Sequence, residues 1–284
     1  MGIHSGRFGK INGINTVRNW NLSETMTPAM YVASNTRFGH GRKEGVRQWN
    51  GSFGVFGAAP IVMPGDFLAF EGYTAPTTDV DGDPGKTYAG SAYIDSVQLT
   101  WNWNSGELLA HMVNFSGHLG LTVGDDTVVD VVEPDPERVC GTKITYDPAG
   151  GGGEVEITNL VQAQLTLSCP NVPYVNSSTN CLTGRKKGIV DWTLALTHQG
   201  EERDVALDIG DDLDLRLYID ATQFWRLTWG HVHDYSGLQV DPESGAIIQR
   251  TINISMNGFL AGASSPGPVG AIRVPGASSD WWPE

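Results

Sequence analysis

The side chains best suited to metal binding lie in the stretch His231-Val-His233-Asp234. Alternate residues of a β-strand point the same way, so two imidazoles two positions apart could share one zinc ion. A zinc site needs a third ligand, and the fold would have to bring in His198 or His111 to supply it. The sequence therefore favours surface histidines and predicts no metal site.

Acidic pairs at Glu201-Glu202 and Asp211-Asp212 offer the carboxylates that general acid–base catalysis uses. Neighbouring residues of a strand face opposite ways, so the members of each pair do not converge on one substrate. The chain contains no Gly-x-Ser-x-Gly, no phosphate loop and no His-Glu-x-x-His. We therefore predict that the protein is not an enzyme and has no catalytic or cofactor-binding residues.

The strongest local pattern is Gly-Arg-Lys-x-Gly-aliphatic-x-x-Trp, which occurs at 41–49 and again at 184–192. Two glycines around two cations suit an exposed turn at the end of a long polar loop, and each tryptophan would begin the strand that anchors it. One cationic loop per copy suits contact with an acidic surface on a neighbouring copy, and the alternative is a merely solvated turn. We expect a subunit interface at Arg42, Lys43, Trp49, Arg185, Lys186 and Trp192.

The motif belongs to a longer internal repeat. Segments 20–23, 57, 65–66 and 105–116 recur in the same order as 165–168, 200, 210–211 and 244–255. The offset between the copies drifts only from 145 to 139, as insertions in loops would produce. The sequence therefore predicts a tandem duplication.

Each copy has the pattern of β-strands. The closing segments, 113–115 and 252–254, both place an asparagine between two apolar residues. The stretch 212–220 alternates strictly and indicates a half-buried strand. Its apolar face consists of Leu213, Leu215, Leu217 and Ile219. Together with 36 glycines and 15 prolines for turns, these patterns predict an all-β protein with two tandem, homologous β-sandwich or barrel domains.

The chain divides into four predicted regions. They are a first β-domain with an N-terminal arm at 1–124, an acidic Pro/Gly-rich connector at 125–154, a second β-domain at 155–262 and an extended C-terminal tail at 263–284. The connector has room for one hairpin, from 127–132 and 143–146. The tail ends in Trp281-Trp282, which we predict to be a docking anchor at the subunit interface. The alternative is a flexible end with incidental aromatic residues.

The formal net charge is −14, and the second part of the chain carries nearly all of it. Residues 1–123 hold 8 Lys and Arg against 9 Asp and Glu, a net of −1, whereas 124–284 hold 10 against 23, a net of −13. Affinity for phosphates comes from clustered Lys and Arg. The composition therefore excludes tight, non-specific binding of nucleic acid.

Three cysteines, Cys140, Cys169 and Cys181, are too few and odd in number for a disulfide framework. We expect reduced thiols, with a bridge between Cys169 and Cys181 as the alternative. The first residues lack the apolar core of a signal peptide, and no later window approaches the roughly 18 apolar residues of a membrane span. We therefore expect a chain that is made and kept in a cytoplasm.

The motifs of the first copy follow a fixed order. Asn-Thr-Val-Arg-Asn-Trp at 15–20 precedes a Ser/Thr-rich loop, then Gly-x-Gly-Arg-Lys-x-Gly-x-x-x-Trp-x-Gly-Ser-Phe, then Gly-Asp before an apolar strand. This order resembles that of the tube proteins of long-tailed bacteriophages. In that family each domain is a small β-sandwich or barrel, six domains close a ring, and stacked rings form a hollow conduit for DNA. The resemblance implies trimeric rings of two-domain chains, with the loops before Trp49 and Trp192 packed on neighbouring subunits.

The resemblance also implies a function. The chain would be the tail tube, or major tail, subunit of a virion, assembled in the cytoplasm of a host bacterium. Its partners would be further copies of itself, other tail or head-tail proteins, and DNA that passes without specific binding because an acidic lumen disfavours phosphate contacts; no membrane is involved. Related β-domains also serve as capsid cement, decoration or head-completion proteins. An alternative of another class is a carbohydrate-binding tandem β-sandwich in which sugar rings stack on Trp101, Trp103, Trp225 and Trp229.

Overall fold

The computed structural model of the chain is built of β-strands, so the all-β prediction is confirmed. Its described part contains one short 3-10 helix, Ser177–Thr179, and no α-helix. The residues that the structure describes are 10–11, 14, 17–32, 40–57, 62–74, 85–105, 108–125, 139, 141–148, 153–200, 207–219, 223–236, 248–256 and 272–273.

The strands fall into two halves of the chain. The N-terminal half comprises β1 (Lys10–Ile11), β2 (Val17–Tyr31), β3 (Gly41–Phe56), β4 (Phe67–Tyr73), β5 (Lys86–Asn102) and β6 (Ala110–Asp125). The C-terminal half comprises β7 (Ile144–Pro148), β8 (Val155–Glu156), β9 (Leu160–Ser168), β10 (Val172–Tyr174), β11 (Gly184–Lys186), β12 (Asp191–Gln199), β13 (Asp212–Tyr218), β14 (Phe224–Ser236), β15 (Gln249–Met256) and β16 (Ile272–Arg273).

Fourteen strands form one antiparallel sheet in the order β2-β3-β6-β5-β9-β12-β15-β14-β13-β7-β8, with β4 beside β5, β1 beside β4 and β16 beside β14. Strands β10 and β11 form a separate pair. Within this sheet the N-terminal half pairs its strands as β2-β3-β6-β5-β4, and the C-terminal half as β9-β12-β15-β14-β13. The order of pairing along the chain is therefore the same in both halves.

The registers of the two halves also agree. In the N-terminal half Asn50 of β3 lies opposite Ser116 of β6, and in the C-terminal half Thr193 of β12 lies opposite Ser255 of β15. Asn50 and Thr193 each follow the tryptophan of the repeated motif, and Ser116 and Ser255 each end the last repeated segment. The residues that the sequence matches thus occupy matching positions in the ladders.

The repeated Gly-Asp pair forms the same turn in both halves. Gly65 and Gly210 have positive φ angles of 88° and 100°, a conformation that glycine adopts without steric cost. The Gly65 amide donates to the Ile94 carbonyl over 2.8 Å, and the Gly210 amide donates to the Val232 carbonyl over the same distance. Each aspartate carboxylate accepts a bond from the amide three residues before it, at 2.8 Å for Asp66 and 2.7 Å for Asp211.

One segment of the repeat is shifted from its expected match. By sequence, segment 165–168 matches 20–23, so residue 165 would correspond to residue 20. In the ladders, however, Leu165 pairs with Leu194 of β12, and Leu22 pairs with Gly51 of β3. Since the motif matches Gly51 with Leu194, the counterpart of Leu165 is Leu22. A two-residue shift keeps every side chain on the same face, so the hydrophobic pattern alone does not detect it.

The two halves share one sheet and one core. Strand β5 pairs with β9 over seven residues, from Ser96 opposite Ser168 to Asn102 opposite Gln162. The buried apolar side chains form a cluster that includes residues of both halves, with Trp101, Trp192, Trp225, Phe53 and Phe115 among the largest. Because a ladder and a common core join the halves, the prediction of two separate domains is not confirmed.

Two predicted strand patterns are confirmed. In β13 the leucines at 213, 215 and 217 are buried and the intervening residues are partly exposed, so the strand has one dry face. In the closing strands, Val113, Phe115, Ile252 and Ile254 are all buried.

The predicted connector, 125–154, contributes a strand to the large sheet, because β7 lies within it and pairs with β13. The other segment of the predicted hairpin, 127–132, lies outside the described residues.

A buried histidine makes the stability depend on pH. His111 of β6 is buried, and its Nδ1 donates to the Gly57 carbonyl over 2.9 Å. Burial lowers the pKa of His111 from 6.5, and the bond to Gly57 only partly opposes this. The unfolded chain therefore binds a proton more readily, so stability falls as the pH drops below 6.5 towards the folded pKa. We expect the Tm measured by circular dichroism to fall over this range, and to fall less in His111→Gln. An equal fall in both proteins would show that His111 does not cause it.

Candidate interaction surface

The Gly-Arg-Lys-x-Gly motif begins in an extended strand in both copies, and not in the predicted turn. Its first copy is the beginning of β3, which pairs with β2 as far as Tyr31 opposite Gly41. Its second copy begins with β11, which pairs with β10 through Tyr174 opposite Gly184. We call residues 23–31 of β2 with 41–48 of β3 the N-terminal ribbon, and β10 with β11 the C-terminal ribbon.

The glycines of the motif are required by close approach. A Cβ added at Gly41 would lie 2.3 Å from the Tyr31 ring, and one at Gly184 would lie 2.5 Å from the Tyr174 ring. At the second glycine the neighbour is a carbonyl oxygen, at 1.8 Å for Gly45 and 1.9 Å for Gly188. No real Cβ fits at such distances. The repeat therefore preserves a packing arrangement, and its signal in the sequence is a tyrosine ten residues before the first glycine of each copy.

The two tryptophans of the motif are buried within the chain. Trp49 is 2% exposed and Trp192 is fully buried. The Trp49 ring lies 5.9 Å from the Phe70 ring and 6.0 Å from the Phe115 ring, and its Nε1 donates to the Leu119 carbonyl over 3.1 Å. Both tryptophans therefore pack inside the chain and present no surface to another chain.

The four cations of the motif lie in two different settings. Arg42 and Lys43 are exposed on the N-terminal ribbon. Arg185 instead contacts β6 of the N-terminal half, since its Nε donates to the Gly117 carbonyl over 3.2 Å and its amide donates to Nδ1 of His118 over 3.0 Å. Lys186 is exposed above the Tyr174 ring, 5.9 Å from its centre. Arg185 therefore lies in a joint between the halves.

That joint, which we call the internal joint, connects segment 169–185 with the N-terminal half. The Arg47 amide donates to the Cys181 carbonyl over 2.9 Å, and the Thr183 amide donates to the Arg47 carbonyl over 3.0 Å. The Leu119 amide donates to the Thr183 carbonyl over 2.9 Å. At its other end, Cys169 donates its amide to the Asp95 carbonyl over 2.7 Å, directly beyond the β5–β9 ladder. The segment that carries the C-terminal ribbon is therefore bound to β3, β5 and β6.

The N-terminal ribbon contacts the internal joint at Arg47 of β3, but its β2 edge has no strand beside it within the described residues. Strand β2 ends the strand order of the sheet, and its residues from 23 to 31 are all exposed. Several are apolar, since Met26, Met30 and Tyr31 are 43%, 63% and 47% exposed. A long exposed edge strand with apolar side chains is a template for pairing with another chain. This ribbon is the strongest candidate interaction surface of the described chain.

The acidic and histidine candidates have structural roles where they are described. His231 lies opposite Asp212, with His231 Nδ1 2.9 Å from a carboxylate oxygen of Asp212, and Asp211 belongs to the Gly-Asp turn. His198 and His111 are buried. No three His, Cys, Asp or Glu side chains in the described ranges are grouped closely enough to hold a metal ion. Glu201-Glu202 lies outside the described residues, as does Trp281-Trp282.

Glu154 is bound by three side chains from two neighbouring strands, β7 and β13. It accepts hydrogen bonds from Thr145 over 2.5 Å and from Tyr218 over 2.7 Å, and Arg216 lies 2.5 Å from its other oxygen. These two hydrogen bonds, followed by the nearby cations, lower the pKa of Glu154. A carboxylate held in its charged form by three partners is poorly suited to proton transfer, and this one ties β7 to β13.

The two cysteines that the structure describes are free thiols, with Cys169 buried and Cys181 exposed. Burial raises the pKa of the Cys169 thiol, although the Gly188 amide and Lys187 partly oppose the shift. This thiol is therefore protonated and unreactive at neutral pH. Cys140 lies outside the described residues.

Comparison with known proteins adds no identification. Neither protein-family models nor the sequences of curated proteins match this chain. Among the residues that the structure describes, no helix is long and apolar enough to span a membrane.

Proposed function

We propose that this chain is a structural protein of a phage virion, the subunit of a tail tube, whose trimeric rings stack into a conduit for DNA. The single observation that supports this most is that both halves of the chain share one strand order and one register. A chain made of two equivalent units is what a six-unit ring of three chains requires. The subunit would be assembled in the host bacterial cytoplasm and located in the virion tail.

The two equivalent units are proposed to derive from a tandem duplication. The repeated glycines support this, because each lies against the same kind of neighbour in both halves, a tyrosine ring or a carbonyl oxygen. The Gly-Asp turns support it as well, with the same pair of hydrogen bonds in each half. Contacts that agree in this detail are what a duplication would produce. The proposed units are 1–124 and 155–262, separated by the connector and followed by the tail.

The contact between the units favours assembly. It joins unlike surfaces, because the edge of β9 in one unit meets the edge of β5 in the other. A contact between unlike surfaces, when repeated from chain to chain, either closes a ring or continues as a filament. Stacking on other tail or head-tail proteins would then complete the tube. The net charge of −14 suits a conduit through which DNA passes without binding.

The carbohydrate-binding alternative has little support from the tryptophans that would carry it. Trp101 and Trp225 are fully buried, so their faces are not available for stacking on a sugar ring. Trp103 is partly buried, and its Nε1 donates to the Thr142 hydroxyl over 3.1 Å. The side chain of Trp229 lies outside the described set.

The proposal predicts self-assembly of the purified protein. Over a concentration series, negative-stain electron microscopy should show stacked rings or hollow rods, and light scattering should give masses in multiples of three chains. Isolated trimers that never stack, and that bind capsids, would instead favour a cement or decoration protein. A persistent monomer that binds immobilised glycans would favour the carbohydrate-binding alternative.

A further inference from the structure

We propose that the N-terminal ribbon and the outer edge of β2 bind the C-terminal half of a second copy of this chain. The contact would repeat, between chains, the one that β9 and the C-terminal ribbon make within one chain. This inference rests on the proposed function, because it names the surface through which a ring of these chains would close.

The first support is that two equivalent strand edges differ in whether another strand pairs with them. Strands β2 and β9 are counterparts, since each pairs with the strand that carries the tryptophan of the motif, β3 or β12. The other edge of β9 is covered by β5, from Ser96 opposite Ser168 to Asn102 opposite Gln162. The other edge of β2 ends the sheet. The edge of β9 is thus covered by a strand of the other unit, whereas the same edge of its counterpart β2 is open. The strand that covers β2 would therefore come from another copy of the chain.

The same equivalence indicates which strand would cover β2. Tyr93 of β5 lies opposite Phe67, and His231 of β14 lies opposite Asp212, each as the first pair after a Gly-Asp turn. Tyr93 and His231 are therefore counterparts, and the counterpart of Ser96 is Asp234 in β14. Since Ser168 corresponds to Thr25, the pair Ser96–Ser168 within one chain becomes Asp234–Thr25 between two chains.

The second support is the chemistry beside the ribbons. In the internal joint, the Tyr174 ring of the C-terminal ribbon lies 6.5 Å from the His118 ring, and His118 lies 5.6 Å from Tyr93. Tyr93 in turn packs on Phe67 at 5.1 Å. The surface that receives the C-terminal ribbon inside the chain is therefore aromatic.

At the equivalent position of the C-terminal half, the aromatic pair is replaced by a charged one. Asp212 and His231 take the places of Phe67 and Tyr93, and both are about one-third exposed, at 34% and 38%. The N-terminal ribbon that would dock there carries exposed Arg42 and Lys43 beside Tyr31. Two cations facing a carboxylate, in a C-terminal part with a net charge of −13, are complementary. The exchange of aromatic for charged residues fits a contact that forms between solvated chains.

A designed disulfide tests the inferred register. Ser96 and Ser168 form a pair whose side chains share one face, and the neighbouring Cys169–Asp95 bond shows that this pair is of the non-hydrogen-bonded type, in which side chains approach closely. Thr25→Cys with Asp234→Cys should therefore form a disulfide between chains in oxidised glutathione. We expect non-reducing gels to show covalent dimers and a ladder that ends at the trimer. A Cys181→Ser background removes the exposed native thiol.

The matched control moves one thiol by a single residue. Glu24→Cys with Asp234→Cys carries the same number of new thiols, but position 24 faces the other side of β2 and should not cross-link. Rings of wild-type protein without the specific cross-link would overturn the inferred contact and leave the tube proposal standing. The specific cross-link in trimers that never stack into rods would uphold the contact and count against the tube. Equal cross-linking in both variants would overturn the contact, because it would reflect random collision.

Discussion

Reversing the charge of Arg42 and Lys43 in the N-terminal ribbon should strongly weaken assembly while leaving the chain folded. In Arg42→Glu with Lys43→Glu, two carboxylates would face Asp212 of the neighbouring chain. Since like charges placed together in an interface cost several kcal/mol, the concentration needed for assembly should rise by about a hundredfold or more. Both side chains are exposed, so the Tm should change little. Light scattering over a concentration series, together with thermal denaturation, measures the two effects.

The control for this variant keeps the same change in net charge at other sites. Lys86→Glu with Lys187→Glu also removes two cations outside the N-terminal ribbon, of which Lys187 is exposed and Lys86 is partly exposed beside Asp125. This control should assemble at nearly the wild-type concentration. If both double variants lose assembly equally, the cause is general repulsion in an acidic chain. Reversal of Arg185 should act differently, because its contacts with Gly117 and His118 are internal and their loss should lower the Tm.

Truncating the buried tryptophan of the second motif should give the largest loss of stability. Trp192 is fully buried, and its ring lies so close to Gly230 that an added Cβ there would be 2.9 Å from it. Removing a buried tryptophan to alanine typically costs about 3–5 kcal/mol, because the cavity does not fully collapse. Against a typical total of about 5–15 kcal/mol, Trp192→Ala should unfold at far lower urea concentration.

Trp192→Phe is the matched control, since it keeps an aromatic ring and most of the apolar volume. It should lose clearly less free energy of unfolding than the alanine variant. A loss below about 1 kcal/mol in Trp192→Ala would contradict the burial described here. The comparison also separates Trp192 from Arg42 and Lys43, because the buried tryptophan should affect folding and the two exposed cations should affect assembly.

Part of the candidate surface could be predicted from the sequence. The repeated motif identifies the ribbons, and the exposure of Arg42 and Lys43 agrees with the idea of a cationic contact surface. The sequence does not reveal that Arg185 lies in the internal joint, since its partners, Gly117 and His118, are far away along the chain. It also suggests a turn where the glycines in fact allow tyrosine rings and carbonyl groups to approach an extended strand.

The sequence by itself determined the all-β fold, the dry faces of the strands and the match between the two halves. These features follow from local rules, because side-chain alternation and turn residues depend on neighbours a few positions apart. Only the tertiary structure decided that β5 and β9 join the halves into one sheet and leave the edge of β2 open. Which strands pair over long distances depends on the closing of loops and the packing of a common core. Neither leaves a periodic signal in the chain.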